Sequence, residues 1–331
     1  MQKKQDRLIK AVNANKIWNI LTAATHERTQ SNLYQLPHTF YLYNYPDFKP
    51  WNQKYAKMPR NHIMLESSPH QIRPDMKFDV VWSQNRFGQI QVLGELARQM
   101  HVPHVNLEHT WAPDLWTEKK FKVFTSHHAD VYVFITEASC KWWGFDQTKN
   151  NVHVLHHGID TDTFKPSEKR IPDGKVLVVA NDYKNRNYFL GYDIFERVAG
   201  GLPIQMLGDN PGISVSCNDI NELVGKFQNA SVFLNTSTRS PIPHSLLEAA
   251  SVGLPIITTE TCGIPELIKD GYNGFMSNDE KYLRSKLEWC LANPDKTQEL
   301  GNNARKSILE KYTLEKHLKK WSEIFEQASQ L

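Results

Sequence analysis

The chain has 331 residues, of which 40% are hydrophobic and 23% charged, and a net charge of +3. This length suits two domains of about 150 residues each, and the composition is that of a soluble globular protein. No run of about 18 apolar residues occurs, which excludes a membrane-spanning helix. The polar start through Leu8 to Lys16 excludes a signal-peptide core. Cys140, Cys217, Cys262 and Cys290 are scattered without paired spacing, as expected of reduced thiols in a cytoplasmic protein.

The charge is uneven. Residues 1–165 hold 20 Lys and Arg against 15 Asp and Glu, with seven of the nine Trp and twelve of the fourteen His. The remaining residues hold 19 against 21. A basic, aromatic, His-rich half suits an anionic or sugar-bearing partner, and an ordinary solvated surface accounts for it equally well.

Ile17 to Ala24 is the first predicted strand, followed by Thr25, His26, Glu27 and Arg28. Ligands of open α/β sheets sit beyond the carboxyl ends of strands, which makes His26, Glu27 and Arg28 candidate acceptor-site residues; a surface turn capping the next helix is the alternative. Thr39 to Tyr43 reads as a second strand. Asn44 to Arg60, rich in Pro, Lys and aromatics, reads as a long surface loop. Phe78 to Ser83 is a buried strand by composition, with Asn85, Arg86 and Gly88 at its end; Arg86 joins the acceptor-side candidates. A helix from about Ile90 to Gln99 leads to a strand over Pro103 to Leu107, which delivers Glu108 and His109. Alternating strands and helices point to a right-handed parallel sheet.

Lys175 to Ala180 reads as the first strand of a second domain beginning near Lys169. Its end, Asn181-Asp182-Tyr183-Lys184-Asn185-Arg186, holds two cations able to neutralise an anion. Ile204 to Gly208 and Ser231 to Asn235 are strands, with a helix over Asn221 to Ala230 between them. Then Pro241 and Pro243 hold a loop extended. His244 to Val252 has helical composition, Gly253 ends it, and Leu254 to Thr259 is a buried strand. A helix start facing such a loop offers free N–H groups to an anion. Leu314 to Leu331 carries Leu314, Leu318, Trp321, Ile324 and Phe325 at helical spacing.

Leu247-Glu248-Ala249, Gly253-Leu254-Pro255-Ile256-Ile257 and Gly263-Ile264-Pro265-Glu266 resemble the donor-site signature of family-four retaining glycosyltransferases, which have the GT-B fold. Ala129 to Glu137 is similar to a strand of that family, and His157-Gly158-Ile159-Asp160 with Phe164 and Pro166, Gly208-Asp209-Asn210-Pro211 and Asp270 to Phe275 are similar to further segments of it. The resemblance covers most of residues 130–330. It implies an α/β chain of two Rossmann-like domains facing a cleft: residues 1–165 for the acceptor, residues 166–314 for the donor, and a C-terminal helix, about 315–331, crossing back to the first. It also absorbs Asp160 and Asp162 into a linker motif, so no metal site is expected there. His156 and His157 lack a third ligand.

The implied reaction moves a sugar from a nucleotide-diphosphate sugar, a UDP-sugar foremost, to an acceptor hydroxyl with retention and without a metal or other cofactor. By resemblance, His109 orients the sugar; the family's diphosphate-clamping Arg at the end of the first donor-domain strand is lost, that strand ending in Ala180-Asn181, but Lys184 and Arg186 lie in the same loop and take the clamping role. Glu248 receives the ribose hydroxyls, and Asn181, Val215, Arg239, Ser240, His244, Ser245 and Leu246 complete the donor side. Two further positions depart: the family Asn of the interdomain segment is His157, and, counting back from Glu248, the family's first Glu is Ser240 here. A different sugar, a substitute carboxylate, or a non-catalytic relative that only binds would each accommodate this. The acceptor stays open between a glycan, a lipid-linked saccharide reached by peripheral membrane contact, a small molecule and a hydroxylated base of modified DNA.

Overall fold

The computed structural model describes residues 16–85 and 88–331, which divide into two compact units: residues through Gly158 together with Leu314–Leu331, and Ile159–Thr313.

The first unit opens with β1 (Asn19–Thr22), α1 (Glu27–Ser31), β2 (Thr39–Leu42), β3 (His62–Met64) and β4 (Val80–Ser83). It continues with α2 (Gln89–Met100), β5 (His104–Glu108), α3 (Glu118–Thr125), β6 (Val131–Phe134), α4 (Glu137–Trp142) and β7 (Val152–Val154). The seven strands form one parallel sheet in the order β3-β2-β1-β4-β5-β6-β7. A parallel sheet covered on both faces needs apolar residues on both, and every residue of β4, β5 and β6 is buried. Two features differ from expectation and a third agrees with it. β3 carries mixed residues and gives no apolar run. Glu137 starts α4 instead of ending a strand, because Thr136 caps that helix by accepting from the Ser139 N–H. Residues 44–60 contain no helix or strand, as a loop should.

The second unit holds β8 (Val176–Val179), α5 (Asn187–Leu190), α6 (Tyr192–Ala199), β9 (Ile204–Leu207), α7 (Ile220–Asn229) and β10 (Val232–Asn235). After these come α8 (His244–Ser251), β11 (Ile256–Thr258), β12 (Phe275–Met276), α9 (Glu280–Ala292) and α10 (Pro294–Lys311). Its parallel sheet runs β12-β11-β10-β8-β9. Residues 159–165 belong here physically: Ile159 and Phe164 enter this unit's core, and the Ile159 N–H donates to Tyr312 O at 2.8 Å. Asp160 accepts from the N–H groups of Asp162 and Thr163, so it shapes the turn.

The chain then returns with α11 (Leu314–Ala328), whose apolar stripe packs on the first unit. Trp321 lies 5.0 Å from Trp82 and 4.9 Å from Phe325, ring to ring. Each such buried side chain contributes about 2 kcal/mol. His317 fastens the helix: its Nδ1 donates to His156 O at 2.7 Å, and its Nε2 accepts from the Trp321 indole at 3.1 Å. Gly158 fits beneath it because a Cβ there would lie 2.5 Å from the His317 Cβ. The expected helix crossing back to the first domain is therefore present.

Candidate active site

In each sheet the strand order reverses at one point, and in open α/β sheets ligands bind beyond the carboxyl ends of the strands at such a point. In the first unit the reversal falls at the loops after β1 and β4. The loop after β1 has no glycines. Three buried glutamines shape it instead. The Gln30 Oε1 accepts from the Thr25 N–H at 2.8 Å, and its amide donates to Ala23 O at 3.0 Å. The Gln84 amide donates to the same carbonyl at 2.9 Å and to Thr22 Oγ1 at 3.3 Å. The Gln89 amide donates to Thr25 Oγ1 at 2.6 Å, while its Oε1 accepts from the Gln84 N–H at 3.0 Å. Buried amides satisfied at both ends hold one geometry.

This loop carries His26 to His109, at the end of β5. Their rings lie 6.2 Å apart, and His157 lies 5.8 Å from His109 on a similar plane. Enclosure pushes the His109 pKa down to about 3, with His26 and His317 adding to the effect, so the ring is neutral at pH 7. Beside it, the buried Glu108 accepts from the Thr110 N–H at 2.9 Å and from its hydroxyl. Glu27 accepts from the Asn52 N–H at 2.9 Å and so braces the 44–60 loop. Arg28, also on α1, is half-buried. Arg86 lies outside the described residues. Sequence reasoning missed Gln30, Gln84 and Gln89: nothing in the sequence distinguishes a buried glutamine from a solvated one.

In the second unit the reversal falls at the loops after β8 and β10. Tyr183 anchors the first: its N–H donates to Asn210 Oδ1 at 2.7 Å, its ring is buried, and its hydroxyl bonds Thr236 on the second loop. Burial pushes its phenol pKa up. Asp182 takes a left-handed turn, φ 52°, and Lys184 and Arg186 project exposed from the loop. Asn181 Oδ1 accepts from the Asp209 N–H at 2.8 Å. Val215 is 78% exposed, and its carbonyl accepts from the Gly208 N–H at 3.2 Å.

The loop after β10 is tied to α5, since the Thr238 and Arg239 N–H groups donate to Phe189 O at 3.0 and 3.1 Å. The Arg239 guanidinium donates to Thr238 O at 2.7 Å and sits 5.9 Å from the Tyr188 ring. Ser240 is half-buried beside Cys262, whose thiol burial pushes up to about 12 while Arg239 and the Ser240 N–H pull the other way. The next helix, α8, starts after Pro243 without a side-chain cap. His244 and Ser245 occupy its first turn, half-buried. Leu246 is a core residue whose N–H donates to Pro243 O at 3.2 Å. Glu248 follows in the second turn at 2% exposure. The structure thus groups Lys184, Arg186, Arg239 and Ser240 on the two tied loops, while His26 and His109 belong to the first unit. Among the described residues no cluster of His, Cys, Asp or Glu suits a metal ion, and no helix is long and apolar enough to cross a membrane.

Comparison with known proteins adds three findings. Residues 213–307 match the family model described as Glycosyl transferases group 1. The chain is 28% identical over 170 residues to trehalose synthase of Thermococcus litoralis, covering 49% of this chain and 39% of the relative. It is 33% identical over 95 residues to the putative glycosyltransferase EpsD of Bacillus subtilis, covering 28% and 24%. It therefore spans well under half the length of these relatives. Among solved structures, HepE of Anabaena in complex with UDP superposes with a TM-score of 0.72 at 14% identity, covering 94% of this chain and all of that one. Sucrose-phosphate synthase of Thermosynechococcus elongatus superposes at 0.68 and 15% identity, covering 95% and 98%. The matched residues 213–307 lie in the second unit, and the superpositions show the GT-B fold.

Proposed function

We propose that this chain is a glycosyltransferase that moves a sugar from a UDP-sugar to an acceptor hydroxyl with retention of anomeric configuration. The observation that carries the reading is α8: a helix opening uncapped behind two prolines, with Glu248 enclosed in its second turn, inside the segment that matches the family model. The UDP held by HepE supports this choice of donor.

Charge grows on the diphosphate as the anomeric bond breaks. Lys184, Arg186 and the N–H groups at the start of α8 stabilise that charge from positions set before the reaction. Glu248 accepts hydrogen bonds from the ribose diol, and a carboxylate suits two adjacent donors. His109, neutral, orients the sugar. The acceptor oxygen bonds the anomeric carbon on the face the diphosphate leaves, and its proton passes to a diphosphate oxygen. No protein nucleophile is required. Ser240 provides a hydrogen bond but no charge near the sugar, which favours a donor other than the family's usual hexoses.

A second acceptor class, a hydroxylated base in modified DNA, draws on the exposed Lys49, Lys54, Lys57 and Arg60 in the loop after β2. Salt-dependent affinity for duplex DNA separates it from a glycan or lipid-linked acceptor.

The test is calorimetry with UDP and a panel of UDP-sugars on the wild type and on Glu248→Ala. Loss of one charge-assisted bond predicts affinity weaker by at least about tenfold. Unchanged UDP affinity in Glu248→Ala would sink the ribose assignment. UDP binding without hydrolysis or transfer of any sugar would replace the enzyme with a binding protein.

A further inference from the structure

The neutral His109 has two tautomers, and they present opposite chemistry: a ring N–H donates, while a bare ring nitrogen accepts. The surroundings choose between them. A carbonyl oxygen only accepts, so Ala23 O, 2.9 Å from the Gln84 amide, identifies the nitrogen end of that side chain. The oxygen end, Oε1, then faces His109 Nε2 at 3.5 Å. That oxygen only accepts as well, so Nε2 carries the hydrogen and Nδ1 keeps the lone pair. Gln84 is fully buried, and the bond from its own N–H to Gln89 Oε1 fixes its backbone. The His26 and His157 rings lie 6.2 and 5.8 Å from the His109 ring, each within about 26° of its plane.

We propose that Gln84 is a positioning residue that sets the tautomer of His109 and so makes Nδ1 a hydrogen-bond acceptor for a substrate hydroxyl. The chemical class follows. A hydroxyl or amine donor is accepted at that point, whereas a carboxylate or carbonyl oxygen would face a lone pair and be refused. This rests on the reading above that His109 belongs to the substrate site.

The experiment uses the full chain with labelled histidine and long-range proton–nitrogen NMR at neutral pH, the His109 signals being assigned by their loss in His109→Phe. The wild type should show Nε2–H for His109. Gln84→Met, similar in length but without the acceptor, should raise the Nδ1–H form to a comparable population. Gln84→Glu, which restores an acceptor, should return the ring to Nε2–H. Circular dichroism monitors the fold of each variant. An Nδ1–H wild type, or an unchanged tautomer in Gln84→Met, overturns the proposal. In turnover, KM for the substrate whose hydroxyl meets Nδ1 should rise about tenfold in Gln84→Met with kcat nearly kept. A changed tautomer with KM unmoved overturns the substrate half. Failure of the wild type to bind any nucleotide sugar removes the functional reading, while the NMR result still decides the tautomer.

Discussion

Lowering the pH from 8 to 5 should unfold the first unit selectively. Burial depresses the pKa of His38, His62 and His317 to about 4, against an ordinary value of 6.5, with Asp79 acting upward on His38 and the bond to His156 O acting upward on His317 without overcoming it. The native state keeps these rings neutral while the unfolded chain takes up protons below 6.5. Their contribution to stability is therefore complete above that pH and is lost as the pH falls toward 4. At pH 5 each ring costs about 2 kcal/mol, or about 6 kcal/mol for the three, which is comparable to the whole stability of a typical domain. Thirteen of the fourteen histidines and eight of the nine tryptophans lie in the first unit, so tryptophan emission reports on the unit at risk. In emission-monitored urea unfolding, a slope of about 2 kcal/mol per molar predicts a midpoint about 3 M lower at pH 5 than at pH 8. His62→Phe preserves a ring against Phe40 and Trp51 and should recover about a third of that shift. Midpoints within about 0.5 M of each other would refute the reasoning, because the burial of these rings would then impose no proton cost.

Further expectations concern the second unit. Lys184→Ala and Arg186→Ala remove exposed cations, so melting should move by no more than about 2 °C, while turnover measured by UDP release should drop about a hundredfold. Normal turnover in both variants would place the diphosphate clamp elsewhere. Gly208→Ala sets a Cβ 1.9 Å from Ala180 O at φ 116° and should destabilise the second unit by about 3 kcal/mol in denaturant titration; a loss below about 1 kcal/mol would show that the loop after β8 yields. Chelation with EDTA should leave UDP release unchanged, since protein cations carry the charge in the proposed chemistry.

Much of the fold was legible because burial leaves simple marks. β4, β6 and β8 are apolar runs, and α11 shows its stripe at helical spacing. Gly253 was expected to end α8, and it does so in a left-handed turn at φ 73°. β3 escaped because three residues of mixed polarity, His62, Ile63 and Met64, carry no period. The point where the units divide was harder still. Ile159 and Phe164 face the second core, yet they follow a strand of the first unit without any compositional break. Of the site, the charged and strand-end residues could be named from sequence. The elements that position them could not, because Gln30, Gln84 and Gln89 meet around Ala23–Thr25 only once three loops are folded. Nor does the sequence reveal Tyr183 as an anchor between two charged neighbours, a place where an exposed aromatic would be ordinary.

The point where the chain leaves and re-enters the first unit has an engineering consequence. Gly158 lies against Leu314 and His317, and Ile159 pairs with Thr313. Residues 159–313 are thus a single insertion whose ends start and finish side by side. Such a segment can be exchanged as a cassette, with both junctions at adjacent residues and no strand of either sheet cut. If the insertion carries the donor preference, cassettes from relatives would recombine donors and acceptors without redesign of either core.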